Sequence, residues 1–344
     1  MLKFPPHHFR AMIGTGGIGS GSLFLLSGNH TLGREESRGG KYLDARDYCK
    51  LHIIAHNVRK LSDHDFPVFA IGKVGDDVVG KQIVQEMQDV GIDTGYVGIS
   101  QGDSTMFGFC FLYPDGTGGN LTTEQSASSK VDAKYIESTE NIFRENQGRF
   151  VALSAPEVPL EARHALLRLS QKYGGLSVAS FTAGEMPEIV KLNMLPLVHL
   201  LALNIEEASM LADLDETKKE PLVIIEKLIS RLKKINPQIC LSVTAGKNGS
   251  WTWDGSKLNF SPAVIVEVKS SAGAGDAHIS GIIAGLNGGL DLAQAQQLGN
   301  LAGAVAVTSQ HTIHPGMNRH KVLELLNRSG GRFSPGVAQY LSKI

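Results

Sequence analysis

Apolar and polar positions along the chain alternate between two periods. Short runs rich in β-branched and aromatic residues mark buried strands, and runs with an apolar residue every three or four positions mark amphipathic helices. Val68 to Val74 reads as a buried strand, and behind it Val79, Ile83, Met87 and Val90 fall near a 3.6-residue period that predicts a helix. The order then repeats. Phe150 to Leu153 leads to a helix around Leu160 to Leu169, Leu200 to Leu203 to a helix over Glu206 to Leu211, and Ile239 to Val243 to a loop at Thr244 to Gly249. This alternation predicts an α/β fold with a mostly parallel sheet in doubly wound order.

Two regions break the pattern. Met106 to Tyr113 carries Phe107, Phe109 and Phe111 at alternate positions, followed by Pro114-Asp115-Gly116, which predicts a strand and a tight turn. Gly19 to Tyr48 is irregular, with Gly28, Gly33, Gly39 and Gly40 separating short segments. No repeat, low-complexity tract or Pro-rich linker is present. The expectation is therefore a single domain over residues 1–344, with a small β lid inserted at about 19–48 and 97–125.

Composition narrows the function classes. Hydrophobic residues make up 42% and charged residues 19% of the 344, close to an ordinary globular protein, which disfavours disorder, collagen-like repeats and coiled coil. Thirty-three Lys plus Arg against 34 Asp plus Glu leave a net charge of -1, without the basic field that non-specific nucleic-acid binding needs. Cys49, Cys110 and Cys240 are odd in number and widely spaced, so a reducing, cytoplasmic setting is expected rather than a disulfide framework. Met1-Leu2-Lys3-Phe4-Pro5-Pro6 has no apolar core of a signal peptide, and the run from Met194 to Leu203 is broken by Pro196 and His199, so no membrane partner is expected. The 39 glycines stand above the roughly 7% average and cluster in short runs, pointing to a site built from loops.

The strongest chemical signal is Ser271-Ala272-Gly273-Ala274-Gly275-Asp276, followed by Ile279, Ile282, Ile283 and Leu286 at helical spacing. A small-residue loop opening onto a helix N-terminus offers free backbone N–H groups and the positive end of the helix dipole to an anion. Taken alone, Asp276 also reads as a capping carboxylate on a tight turn.

Gly273-Ala274-Gly275-Asp276 with its helix resembles the C-terminal signature of the ribokinase-like, or PfkB, family of carbohydrate kinases. Three further motifs resemble that family in the same order. They are Gly72-Lys73-Val74-Gly75-Asp76-Asp77-Val78-Val79-Gly80, Asn204-Ile205-Glu206-Glu207, and Thr244-Ala245-Gly246-Lys247-Asn248-Gly249. The likeness covers roughly residues 65 to 316. It implies a three-layer α/β/α fold, ATP and Mg²⁺ as cofactors, and a sugar-like small molecule as acceptor. It also implies that Asp276 takes the proton from the acceptor hydroxyl, with Gly273, Ala274 and Gly275 forming an anion hole. Asn204 and Glu207 would organise Mg²⁺, Thr244, Gly246 and Gly249 would line the nucleotide phosphates, and Asn300 would lie near the adenine. Relatives of this kind often pair through the lid, so a homodimer is open. As bare residues, Asn204 to Glu207 is equally a helix capping box, Thr244 to Gly249 a turn between strands, and Gly72 to Gly80 a structural strand-to-helix turn.

The acceptor side departs from the family pattern. Where relatives usually close the first strand with Asp, Ala11 to Gly19 offers only glycines. The expected GGxxxN falls on Tyr48-Cys49 and Ile53, so only Lys50 and Ala55 fit. Glu157 resembles a sugar-contacting Glu after a central strand, and is otherwise an exposed loop acid. Ser270 stands where potassium-activated relatives carry Asp, which speaks against a monovalent-cation site.

Competing motifs are weaker. Gly14-Thr15-Gly16-Gly17-Ile18-Gly19 satisfies the GxGxxG dinucleotide fingerprint with Glu35 about 20 residues on, but the segment after it has poor helix interiors. Gly75 to Lys81 approaches a P-loop, with Gln82 in place of the hydroxyl. Cys49, His52 and His56 could share a helix face suited to Zn²⁺, yet without a fourth ligand they read as ordinary polar helix residues. The reading that follows is an ATP-dependent kinase acting on a hydroxyl of a sugar or sugar-like molecule, with Asp276 as base. A non-catalytic binding relative and a nicotinamide oxidoreductase are the alternatives.

Overall fold

The computed structural model describes residues 9–214, 220–330 and 333–343. The stretch Met1 to Pro6, read above for a leader, lies outside them. Nine strands form one sheet in the order β13-β12-β11-β10-β9-β8-β1-β4-β5. At its centre β1 (Ala11–Thr15) runs parallel to both β4 (Val68–Gly75) and β8 (Phe150–Ser154), and every residue of β1 and β8 is buried. Continuous apolar runs of this kind belong to strands covered on both faces. From β1 the chain moves outward to β4 and β5 (Ile92–Ser100), then returns across the centre to β8, β9 (Leu176–Ser180), β10 (Leu200–Asn204) and β11 (Cys240–Thr244). Only β12 (Ser250–Trp253) and β13 (Leu258–Ser261) are antiparallel additions. Winding in two directions leaves a crevice where the order reverses, beyond the C-terminal ends of β1 and β8.

Helices cover both faces. Among those that matter here are α1 (Lys50–Leu61), α7 (Ile205–Ala212), α9 (Ala274–Asn287), α10 (Leu292–Ala306) and α11 (Arg319–Arg328). Helix α9 is buried at every position from Asp276 to Asn287 and packs between α1 and α10. Apolar all round, it is a core helix whose first turn emerges into the crevice.

A second sheet of four strands has the order β3-β2-β6-β7, built from β2 (Gly19–Leu26), β3 (Gly40–Tyr48), β6 (Met106–Leu112) and β7 (Gly118–Thr122). Residues 97–100 belong to β5 of the large sheet and not to this smaller one. One face of the small sheet buries Leu23, Leu43 and Ala45, while Tyr42, Phe107 and Leu121 are exposed on it. Gly14 to Gly19 runs directly into strand β2, so the helix that a dinucleotide fingerprint requires is replaced by an interior strand of this small sheet. Among the described residues no helix is long and apolar enough to cross a membrane.

Candidate active site

The first turn of α9 is set by a glycine in the left-handed region. Gly273 has φ +77°, and a Cβ there would lie 2.4 Å from the Thr312 carbonyl oxygen, so only glycine fits this helix start. Ala274 N–H reaches the Ser271 carbonyl, whereas the N–H groups of Gly275 and Asp276 have no backbone acceptor among the described residues. Asp276, 8% exposed, projects from this turn toward α1. There Lys50, the first residue of α1, places Nζ 3.0 Å from Asp276 Oδ2. The Asp276 carboxylate raises the affinity of the Lys50 ammonium for its proton, against the opposing effect of burial.

Asp276 and Lys50 stand between two cavities and line both. One, about 330 Å³, lies under the small sheet and is walled by Asp47, Cys110, Asn120, Glu157 and Thr312 among others. The other, about 180 Å³, lies at the C-terminal ends of β9, β10 and β11 and is lined by Thr182, Asn204, Glu207, Ser242, Thr244 and Gly275. Two carboxylates beside this pair are held protonated longer than usual. Burial pushes Glu157 up to about 7, with Lys50 opposing and Asp276 and Asp47 adding. Burial also pushes Glu207 up to about 7, opposed by the Asn204 N–H and by Lys50.

Glu157 is half-buried at the crevice rather than an exposed loop acid. Its Oε2 accepts the Lys50 backbone N–H at 2.8 Å, and its own backbone has φ +76°, a strained conformation for a residue with a side chain. Asn204 and Glu207 do form the reciprocal capping box: Glu207 N–H donates to Asn204 Oδ1 and Asn204 N–H to Glu207 Oε2, both at 2.8 Å. The same box aims the Glu207 carboxylate into the smaller cavity, so capping and site-lining coexist.

Other expected residues sit apart from this centre. Gly246 and Gly249 lie on the turn between β11 and β12, where Gly249 has φ +92° and packs against the Ser261 carbonyl. Asn300 on α10 accepts from Ser250 Oγ at 2.8 Å and donates to Ser261 Oγ at 3.0 Å and to the Ser261 and Pro262 carbonyls. Its amide is engaged in tying α10 to β12 and β13. A third cavity, about 730 Å³, opens just beyond, between residues 261–267 and helices α10 and α11, with Val264, Val266, Val305 and Phe333 in its walls. Asn300 is not one of them.

His52 is buried and His56 half-buried on α1, and burial keeps both rings neutral by lowering them to about 3 and about 4. Their ring centroids are 6.3 Å apart, and no group of three or more His, Cys, Asp or Glu among the described residues could hold a metal ion. Three site residues carry no motif: Asp47, Thr312 and His278, the last bonded to Ser242 Oγ at 3.2 Å. Asp47 is an isolated acid in a strand, and nothing in the local sequence distinguishes it.

A model described as the pfkB family carbohydrate kinase family matches residues 54–319. Inositol 3-kinase of Zea mays is 41% identical over 83 residues, which are 23% of this chain and 22% of that protein, so the match spans less than a quarter of the relative's length. Ribokinase of Giardia lamblia superposes with a TM-score of 0.77 at 15% identity, covering 93% of this chain and 99% of the other. A ribokinase of Arabidopsis thaliana solved with ribose and ATP superposes with a TM-score of 0.73 at 18% identity, over 92% and 98% of the two chains. At such identities the structural likeness speaks for the fold, which is the three-layer α/β/α arrangement expected from the sequence.

Proposed function

The chain belongs to the pfkB family of carbohydrate kinases, and we propose that it transfers the γ-phosphoryl group of ATP to a hydroxyl of a sugar or sugar-like small molecule. The observation that carries this reading is the position of Asp276. Its carboxylate stands where the cavity under the small sheet meets the cavity at the strand ends, beside the open N–H groups of a buried helix. An acceptor in the first cavity and a phosphate chain in the second would meet at this residue. The Arabidopsis ribokinase complex with ribose and ATP supports ATP as the donor, whose phosphates this reading assigns to the strand-end cavity and whose adenine it assigns to the 730 Å³ cavity.

In this reading the acceptor oxygen attacks the γ-phosphorus, its proton passes to Asp276, and the bond from phosphorus to the ADP oxygen breaks. Lys50 donates to Asp276 Oδ2 and orients the carboxylate, which leaves Oδ1 for the proton. Phosphoryl transfer asks mainly for positioning and charge stabilisation. The open N–H groups of Gly275 and Asp276 and the Lys50 ammonium supply both at the transferring group, whereas the Ala274 N–H, expected in the anion hole, is turned to the Ser271 carbonyl. Thr244 lines the path of the phosphates, while Gly246 and Gly249 shape the turn behind it.

The residues at the strand ends suit a hydrated Mg²⁺. Glu207 presents a half-buried carboxylate whose second oxygen is not used by the capping box, and Asp276 lies across the same cavity. Mg²⁺ typically takes one or two carboxylates, phosphate oxygens and waters. Bound there, it would neutralise charge on the phosphates.

ADP release from MgATP against pooled sugars, sugar phosphates and nucleosides tests the reading, with the Asp276→Asn variant beside the wild type. Release that depends on one pool and disappears in the variant is the expected result. ATP binding with no turnover on any pool would replace the kinase by a binding protein.

A further inference from the structure

The acceptor cavity contains a carboxylate that the family resemblance does not assign. Asp47, near the end of β3, is 8% exposed and lines the 330 Å³ cavity. Its Oδ2 accepts the Cys110 thiol at 3.0 Å, and the Thr312 hydroxyl also faces it. No ion pair to Asp47 exists among the described residues, and burial raises its proton affinity. A buried carboxylate with only a thiol and a hydroxyl as side-chain donors keeps unused acceptor capacity toward the cavity.

Glycines at the first strand and in the small sheet make room for the two cavity acids. A Cβ at Gly17, just past β1, would lie 2.5 Å from Glu157 Oε2. A Cβ at Gly21 of β2 would lie 2.8 Å from Asp47 Oδ2, and one at Gly108 of β6 would lie 3.3 Å from it. The segment just past the first strand therefore carries no side chain beside Glu157, and β2 and β6 carry none beside Asp47. We infer that Asp47, with Glu157, takes the acceptor's hydroxyl groups in place of a first-strand Asp, and that the acceptor is an uncharged polyhydroxy ring compound bearing no phosphate or carboxylate.

Charge makes the second half of the inference. The charged side chains lining this cavity are Asp47, Glu157, Asp276 and Lys50, and the single ammonium is already engaged by Asp276. Among the described residues no arginine or histidine lines it to receive an anionic group. Carboxylates accept hydrogen bonds from hydroxyls and repel phosphate.

The inference rests on the kinase reading for the word acceptor, but its test is binding and does not depend on turnover. Calorimetry in the presence of ADP would compare myo-inositol and ribose with ribose 5-phosphate and gluconate, on the wild type and on Asp47→Asn. The expected result is binding of at least one neutral polyol, none of the anions, and about tenfold or greater weakening in the variant with ADP affinity unchanged. Tighter binding of an anion, no polyol binding, or a variant that binds the polyol as well as the wild type would each overturn it. If Asp47→Asn lost ADP affinity through misfolding, the wild-type preference between ribose and ribose 5-phosphate would decide alone. Polyol binding with no ADP release from MgATP would sink the kinase reading while leaving the role of Asp47 standing.

Discussion

The strand-end cavity and the cavity under the small sheet share Asp276 and Lys50 but are built by opposite means. The first is assembled from short contiguous segments: residues 204–207 cap α7 and 273–276 open α9, with Thr244 closing a strand between them. The second gathers Asp47, Asn120 and Thr312 from three distant stretches of chain with no local signature, and joins them to Glu157 from the loop after β8. Helix starts oblige specific residues at fixed spacing because their N–H groups must be satisfied locally. A pocket between sheets makes no such demand, so the acceptor side can be rebuilt while the strand-end side keeps its pattern.

The largest effect that would test this division is at the shared residue. Asp276→Asn is expected to lower turnover by roughly 10²–10⁴-fold, the range for removing a general base, while nucleotide affinity stays near wild type. Steady-state ADP release and ADP calorimetry give the two numbers. Undiminished turnover would remove Asp276 from the chemistry and with it the meeting point of the two cavities. Gly273→Ala should come next. The new methyl would need φ +77° and would press on the Thr312 carbonyl, so the first turn of α9 must shift. A loss of turnover together with about 1 kcal/mol or more of stability is expected, read by activity and by urea unfolding. A fully active, equally stable variant would mean that the helix start tolerates rearrangement.

What the sequence made legible follows the same line. The strands at 68–75, 150–154 and 200–204 and the helices behind them were readable because central parallel strands are continuous apolar runs and amphipathic helices have a fixed period. Leu176–Ser180 is as deeply placed, but its alternating small residues carry little strand signal by themselves. Asp276, Asn204, Glu207 and Thr244 line one cavity, and Lys50, read from the sequence only on the acceptor side, lines it with them. Asn300 shows the limit of motif reasoning. The family resemblance puts it near the adenine, yet its amide is engaged by Ser250, Ser261 and Pro262, and pairing of that kind depends on three-dimensional neighbours. Asp47 shows the converse, a buried acid whose isolation is visible only when β2, β3 and β6 lie side by side.

A substitution confined to the acceptor side sharpens the comparison further. Gly17→Ala would force the Glu157 carboxylate away from its present position without touching the strand-end cavity. The acceptor KM should rise by roughly tenfold, as for loss of a hydrogen bond to a charged group, and the KM for ATP should not change. Equal effects on both constants would show that the two cavities are coupled through Glu157 and Lys50 and are not separately built.

The smallest effect expected is in the pH dependence of stability, where the two sides should behave alike. Glu157 and Glu207 both have carboxyls raised to about 7 by burial, against about 4.3 when unfolded. Between those values the folded chain holds more protons than the unfolded one, so the stability these groups contribute is complete below the unfolded value and is lost as pH rises through 7. Glu157→Gln and Glu207→Gln remove that titration. Each variant should therefore gain on the wild type between pH 5 and pH 8, by about 2 °C or more in Tm, in thermal melts without nucleotide. Parallel curves for wild type and variant would mean that the carboxylate is ionised throughout, with Lys50 outweighing burial at that position. A gain in only one of the two would identify which cavity is the drier, and would separate the halves by solvation where their residues alone do not.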